Sequence, residues 1–106
     1  MKALYLIAVV TSLSVSATAF AARDAGTLFK QYNCTSCHSI DGASVGPSLK
    51  AISTKYADED GALIQLEKKV RNGGSGSFGS MPMPATPKSV SDENIKTMVR
   101  WILLQH

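Results

Sequence analysis

The chain has 106 residues, of which 44% are hydrophobic and 18% charged, and its formal net charge is +3. That length bounds it to one small domain, and the hydrophobic content excludes a disordered polymer. Its Lys and Arg residues are dispersed without a basic run, which argues against a reader of the nucleic-acid backbone.

At the amino end, Lys2 precedes an apolar run from Ala3 to Val10, and small and hydroxylated residues follow down to Ala19-Phe20-Ala21. This pattern predicts a secretory leader over residues 1–21, cleaved after Ala21, where Ala19 and Ala21 supply the small side chains a signal peptidase accepts. An uncleaved anchor is the competing reading, but Thr11, Ser12, Ser14 and Ser16 interrupt the apolar run and no stop-transfer pattern follows. The mature chain is then expected to be residues 22–106, exported to the periplasm, without a membrane span and with one positive charge fewer once Lys2 is gone. A domain of that size expects a staple for its limited core.

Ala25, Leu28, Phe29 and Tyr32 recur on one helical face and predict a first helix over 24–33, with Asp24 placed to cap it or to offset its dipole. Directly after it stands Cys34-Thr35-Ser36-Cys37-His38. Two thiols one turn apart, followed by an imidazole, suit covalent attachment of one haem c. Each thiol can add to one vinyl group as a thioether, which leaves His38 able to reach the iron. Three plainer readings compete. A closed zinc site needs four ligands, and beyond these three residues the chain offers only His106 as a comparable donor. A thioredoxin-like dithiol needs strands alternating with helices, and no convincing strand is predicted. A structural disulfide suits an exported protein but gives no reason for the adjacent His38.

Asp41-Gly42 and Gly46-Pro47 punctuate a loop before a short helix over about 48–56, with Pro47 suited to its first turn. Asp58 or Asp60 is expected to cap a third helix over about 59–72, in which Leu63, Leu66 or Glu67, and Val70 follow helical spacing until Asn72-Gly73-Gly74 stops it. Four glycines and three prolines crowd residues 73–90, so no regular element is expected there. A loop so long in so small a domain points to function. In the last helix Ser91 caps, Asp92 and Glu93 favour the positive end, and Ile95, Met98, Val99, Ile102 and Leu103 form an apolar stripe. The chain therefore reads as all-α, with its first and last helices packed across each other.

Inside the long loop, Met81-Pro82-Met83-Pro84 carries the second chemical signal. A thioether is a soft neutral ligand that stabilises ferrous haem and raises its potential relative to a second imidazole. Prolines on both sides of Met83 restrict the backbone to an extended path, which makes Met83 the expected sixth ligand and Met81 its competitor. Met98, on the apolar stripe, is expected in the core.

Leu28-Phe29, Cys34-Thr35-Ser36-Cys37-His38, Val45-Gly46-Pro47, Lys55-Tyr56, Arg71-Asn72-Gly73, Met81-Pro82-Met83-Pro84, Val90-Ser91-Asp92 and Trp101 occur in an order that resembles the small class I c-type cytochromes, especially short bacterial periplasmic electron donors. The resemblance covers essentially all of residues 22–106. It implies a class I cytochrome c fold of four to five short helices around one haem attached through Cys34 and Cys37, with His38 and Met83 as axial ligands. It also implies that the Pro47 carbonyl accepts a hydrogen bond from the His38 ring nitrogen facing away from iron. The implied role is that of a monomeric carrier, not an enzyme, passing single electrons between larger redox proteins with oxidase or nitrite-reductase acceptors. Phe78 stands where the family often has a tryptophan near a propionate, residues 85–89 make a longer stretch than in close relatives, and the asparagine often found after the methionine ligand is missing. Arg71 reads either as a propionate partner or as a solvated helix-end cation. Lys30, Lys50, Lys55 and Lys88 read either as a ring steering transient, salt-sensitive docking at the haem edge or as scattered solvated charges. A gas-binding or peroxidase-like haem protein with an open sixth position is the alternative from another class, although no distal His, Arg or Glu cluster suits acid–base work. A subunit of a larger redox complex is a third.

Overall fold

The computed structural model describes residues 18–106, with side chains from Ala25 onward. The leader reading therefore lies outside the described residues except for the backbone of 18–21. Four helices follow in order, α1 over Thr18–Gln31, α2 over Leu49–Tyr56, α3 over Ala62–Asn72 and α4 over Asp92–Leu103, with a single 3-10 turn at Cys34–Ser36.

Helix α4 is the element the others share, for it packs against α1, α2 and α3. Its start is set by Ser91, whose hydroxyl accepts from the Asn94 amide at 3.1 Å while Asp92 and Glu93 occupy the positive end. Of its expected stripe, Ile95, Met98, Val99 and Ile102 are buried, and Leu103 packs partly buried against them. Leu49, Ile52 and Tyr56 of α2, Leu66 of α3 and Phe29 of α1 complete one continuous core with Val90. The predicted crossing of first and last helices is present, and Phe29 meets Trp101 there at a ring separation of 5.5 Å with tilted planes. Tyr32 adds a polar tie, its hydroxyl accepting from the Asn94 side-chain amide at 3.0 Å.

Three helix starts differ from expectation. α1 is already helical at Thr18, the first described residue, and not only from Asp24, because the alanine-rich backbone before Asp24 offers nothing to break a helix, so Asp24 lies inside it. Pro47 precedes α2 instead of entering it, because the Ser48 hydroxyl takes the cap by accepting from Ala51 N at 3.0 Å. α3 starts at Ala62 after a left-handed Gly61, with residues 59–62 used in a turn and neither Asp58 nor Asp60 capping it. Gly73 ends α3 as expected.

Candidate functional site

The five-residue attachment motif is presented by a tight turn. Gln31 ends α1, Asn33 takes a left-handed conformation at φ 60, and the 3-10 turn brings Cys34 and Cys37 round within three residues. The turn is closed by Cys37 N and His38 N, which both donate to the Cys34 carbonyl at 3.2 and 3.0 Å. Neither cysteine is paired with the other. Burial pushes the Cys34 thiol above its ordinary value, and nearby Cys37 adds to that, against a smaller opposing effect of a backbone hydrogen bond. A thioredoxin-like attacking thiol is shifted the other way, so the local electrostatics disfavour that reading.

His38 is held from behind. Its Nδ1 lies 2.7 Å from the Pro47 carbonyl oxygen, and because a carbonyl only accepts, Nδ1 must carry the proton. In that tautomer the free electron pair is on Nε2, the nitrogen available to a metal. Gly46 makes this approach possible, since a Cβ at that position would stand 2.7 Å from His38 Cε1 and 3.0 Å from Nδ1. Gly46 N also donates to the Cys37 carbonyl at 2.8 Å, tying the proline segment to the cysteine turn.

The long loop is not featureless. Gly74 and Met83 form an antiparallel bridge with both hydrogen bonds at 2.9 Å. Gly73, at φ 67 and ψ −152, lets the two backbone segments approach, and a Cβ there would lie 2.2 Å from the Met83 carbonyl oxygen. The sequence reading missed this bridge, and the paired Gly73-Gly74 was the only signal for it. The loop borders a cleft of about 470 Å³ whose walls include His38, Pro47, Ile52, Tyr56, Leu66 and Met83. Met81 is on the rim at 66% exposure, whereas Met83 is half-buried. Met98 is 2% exposed in the core, as expected.

The donor set and the cleft fit a haem. The two thiols lie one turn apart, Cys37 and His38 line the cleft while Cys34 packs partly buried against the core, and the remaining walls are largely apolar. The cytochrome c family model matches residues 22–105. The chain belongs to the cytochrome c family. Its cofactor is accordingly haem c, joined covalently through Cys34 and Cys37, and its role is that of an electron carrier. Among similar proteins, cytochrome c-551 of Pseudomonas aeruginosa is 36% identical over 105 residues, covering 99% of each chain. Cytochrome c-551 of Azotobacter vinelandii is 45% identical over 76 residues, 72% of this chain and 90% of the relative. The crystal structure of wild-type cytochrome c552 from Nitrosomonas europaea superposes with a TM-score of 0.73 at 42% identity, covering 76% of this chain and 99% of that one. The all-α class I fold expected from the sequence is thus present.

The charged residues divide. Lys55 sits at the cleft margin, where its ammonium lies 4.6 Å from the Phe78 ring centre and donates to the Ser77 carbonyl. Phe78 is therefore a cation partner and a rim residue at 44% exposure. Lys50 is paired with Asp41 at 2.6 Å, and Lys30 lies by a separate hollow beside Trp101. Lys88 is exposed and is not among the cleft walls. Lys69, which the sequence reading passed over, does line the cleft, with its Nζ beside Gly74. Arg71 follows neither expectation, because its guanidinium is engaged by the end of the long loop.

Proposed function

We propose that this cytochrome works as a monomeric periplasmic shuttle whose haem iron is bound by His38 Nε2 and Met83 sulfur. Bound haem c supplies a one-electron Fe(III)/Fe(II) couple. The observation that carries this reading is a pair of constraints on two residues that line one cleft. The Pro47 carbonyl fixes the His38 ring and its tautomer, and the Gly74 bridge fixes the Met83 backbone. Ligands held from behind move little between oxidation states, which keeps reorganisation small and suits transfer without bond making.

Met83 is favoured over Met81 because it alone is half-buried and tied into the bridge. The ionisable wall residues besides the motif are Tyr56 and Lys69, a set unsuited to acid–base work on a bound peroxide, so the chain acts as a carrier and not as an enzyme. The family match begins at Ala22, which supports export by residues 1–21 with cleavage after Ala21 and a single haem domain over 22–106. Docking on larger redox proteins, of oxidase or nitrite-reductase type, is transient and salt-sensitive, with Lys55 and Lys69 supplying positive charge at the cleft.

Visible and near-infrared spectra of the ferric protein test the ligation. The weak sulfur-to-iron band is expected in the wild type and in Met81→Ala and is expected to vanish in Met83→Ala. Survival of the band in Met83→Ala would transfer ligation to Met81. A wild type that lacks the band and binds carbon monoxide readily would replace the carrier with a gas-binding protein.

A further inference from the structure

The segment bearing Met83 leaves α3 at Gly73 and joins α4 at Ser91, and its two ends are fastened unequally. On the entry side, Gly76 and Gly79 both have positive φ, Gly76 N donates to the Gly79 carbonyl at 2.8 Å, and among the described residues only the exposed Lys55 side chain reaches the turn from outside, donating to the Ser77 carbonyl. On the exit side the last turn of α3 grips the chain several times. The Val70 carbonyl accepts from Thr86 N at 3.2 Å and from Thr86 Oγ1 at 2.6 Å. Arg71 donates through Nη1 to the Pro87 carbonyl at 3.0 Å and through Nη2 to the Val90 carbonyl at 2.6 Å and to Asp92 Oδ1 at 2.7 Å. One guanidinium thus ties α3, the loop exit and the first turn of α4.

We propose that Arg71 is a positioning residue for the sixth ligand, a clasp that keeps the Met83 loop closed and slows release of the sulfur from iron. The inference rests on Met83 being that ligand. The loop's entry is glycine-rich and yields readily, so what resists a swing of Met83 away from the cleft is the two-bond bridge in its middle and the fastening of its exit between Pro84 and Ser91. That stretch is where the clasp acts. Asp92 is 95% exposed, so its ion pair with Arg71 is open to screening and contributes little. The two carbonyls carry the effect, because Val90 is 4% exposed and its carbonyl would lose a charge-assisted bond in a part-buried setting. A planar fork reaches two carbonyls and a carboxylate at once, and a lysine ammonium, a compact charge on a flexible stem, cannot reproduce that geometry.

The test is the rate at which saturating imidazole displaces the sixth ligand of the ferric haem protein, followed by loss of the sulfur-to-iron band. At saturation that rate reports sulfur release. Arg71→Ala is expected to raise it about tenfold or more, and Arg71→Lys severalfold, as expected for loss of a charge-assisted bond. Asp92→Asn should stay within about twofold, the small effect of an exposed ion pair. Ser53→Ala, which removes a buried bond between α2 and α4 and lowers stability away from the loop, should leave the rate unchanged. The clasp is overturned if Arg71→Lys matches the wild type, or if Ser53→Ala raises the rate as much as Arg71→Ala does. A wild type without the band overturns the axial reading itself, before any variant is made, so the two failures are separable.

Discussion

Gly46 shows how much one missing side chain decides. The His38 ring fits against the Pro47 carbonyl only because nothing projects from Gly46, and a Cβ there would press on Cε1, on Nδ1 and on the Cys37 carbonyl oxygen at 3.2 Å. Gly46→Ala is expected to displace the ring and weaken its hydrogen bond to Pro47. A bond from Nδ1–H to a carbonyl raises the basicity of the ligating nitrogen, so its loss makes His38 a poorer donor and favours Fe(II). Redox titration should show a higher midpoint potential in Gly46→Ala than in the wild type, and an unchanged or lower value would refute the argument. Chemistry and family pattern marked Cys34, Cys37, His38, Pro47 and Met83 as candidates, and the structure places all of these but Cys34 on the cleft wall. The sequence did not tell which lysine stands at the cleft, because Lys69 and Lys88 look alike in sequence and differ only in where α3 and the loop exit place them.

At the scale of elements, helix bodies were legible and helix starts were not. The stripe of Ile95, Met98, Val99 and Ile102 identifies α4 by period alone, and Ser91 caps it as its position suggests. The starts of α2 and α3 depended on adjacent groups, in which the Ser48 hydroxyl capped α2 after Pro47, and a left-handed Gly61 took the N-cap position of α3 in place of Asp58 or Asp60. Pairing between elements was equally hidden. Ser53 is 1% exposed among apolar neighbours, and its hydroxyl donates to the Leu103 carbonyl at 2.9 Å, joining α2 to the end of α4. Ser53→Ala leaves that carbonyl without its partner and should lower unfolding free energy by about 1–2 kcal/mol, as read from the shift in denaturant midpoint at unchanged slope. No shift would mean that the carbonyl finds a replacement.

For the molecule as a whole, a core of short helices is interrupted by a cleft of about 470 Å³, so the haem is expected to contribute to stability as well as to carry the electron. Small domains of this size rarely hold together on a hydrophobic core alone. Cys34→Ala with Cys37→Ala removes both covalent anchors, and the resulting chain is expected to lose most of its helical circular dichroism at 25 °C. Retention of the helical signal without bound haem would show that the core packed on α4 suffices.

What the sequence by itself determined is the chemistry and the helical class, because a covalent haem motif, a proline-flanked methionine and a 3.6-residue apolar period are local patterns written within a few residues of one another. Only the tertiary structure decided which glycines make room for His38 and Met83, that Gly74 pairs with Met83, and that Arg71 grips the loop exit. Those contacts join residues distant along the chain, and their geometry exists only once α3 and α4 have packed together.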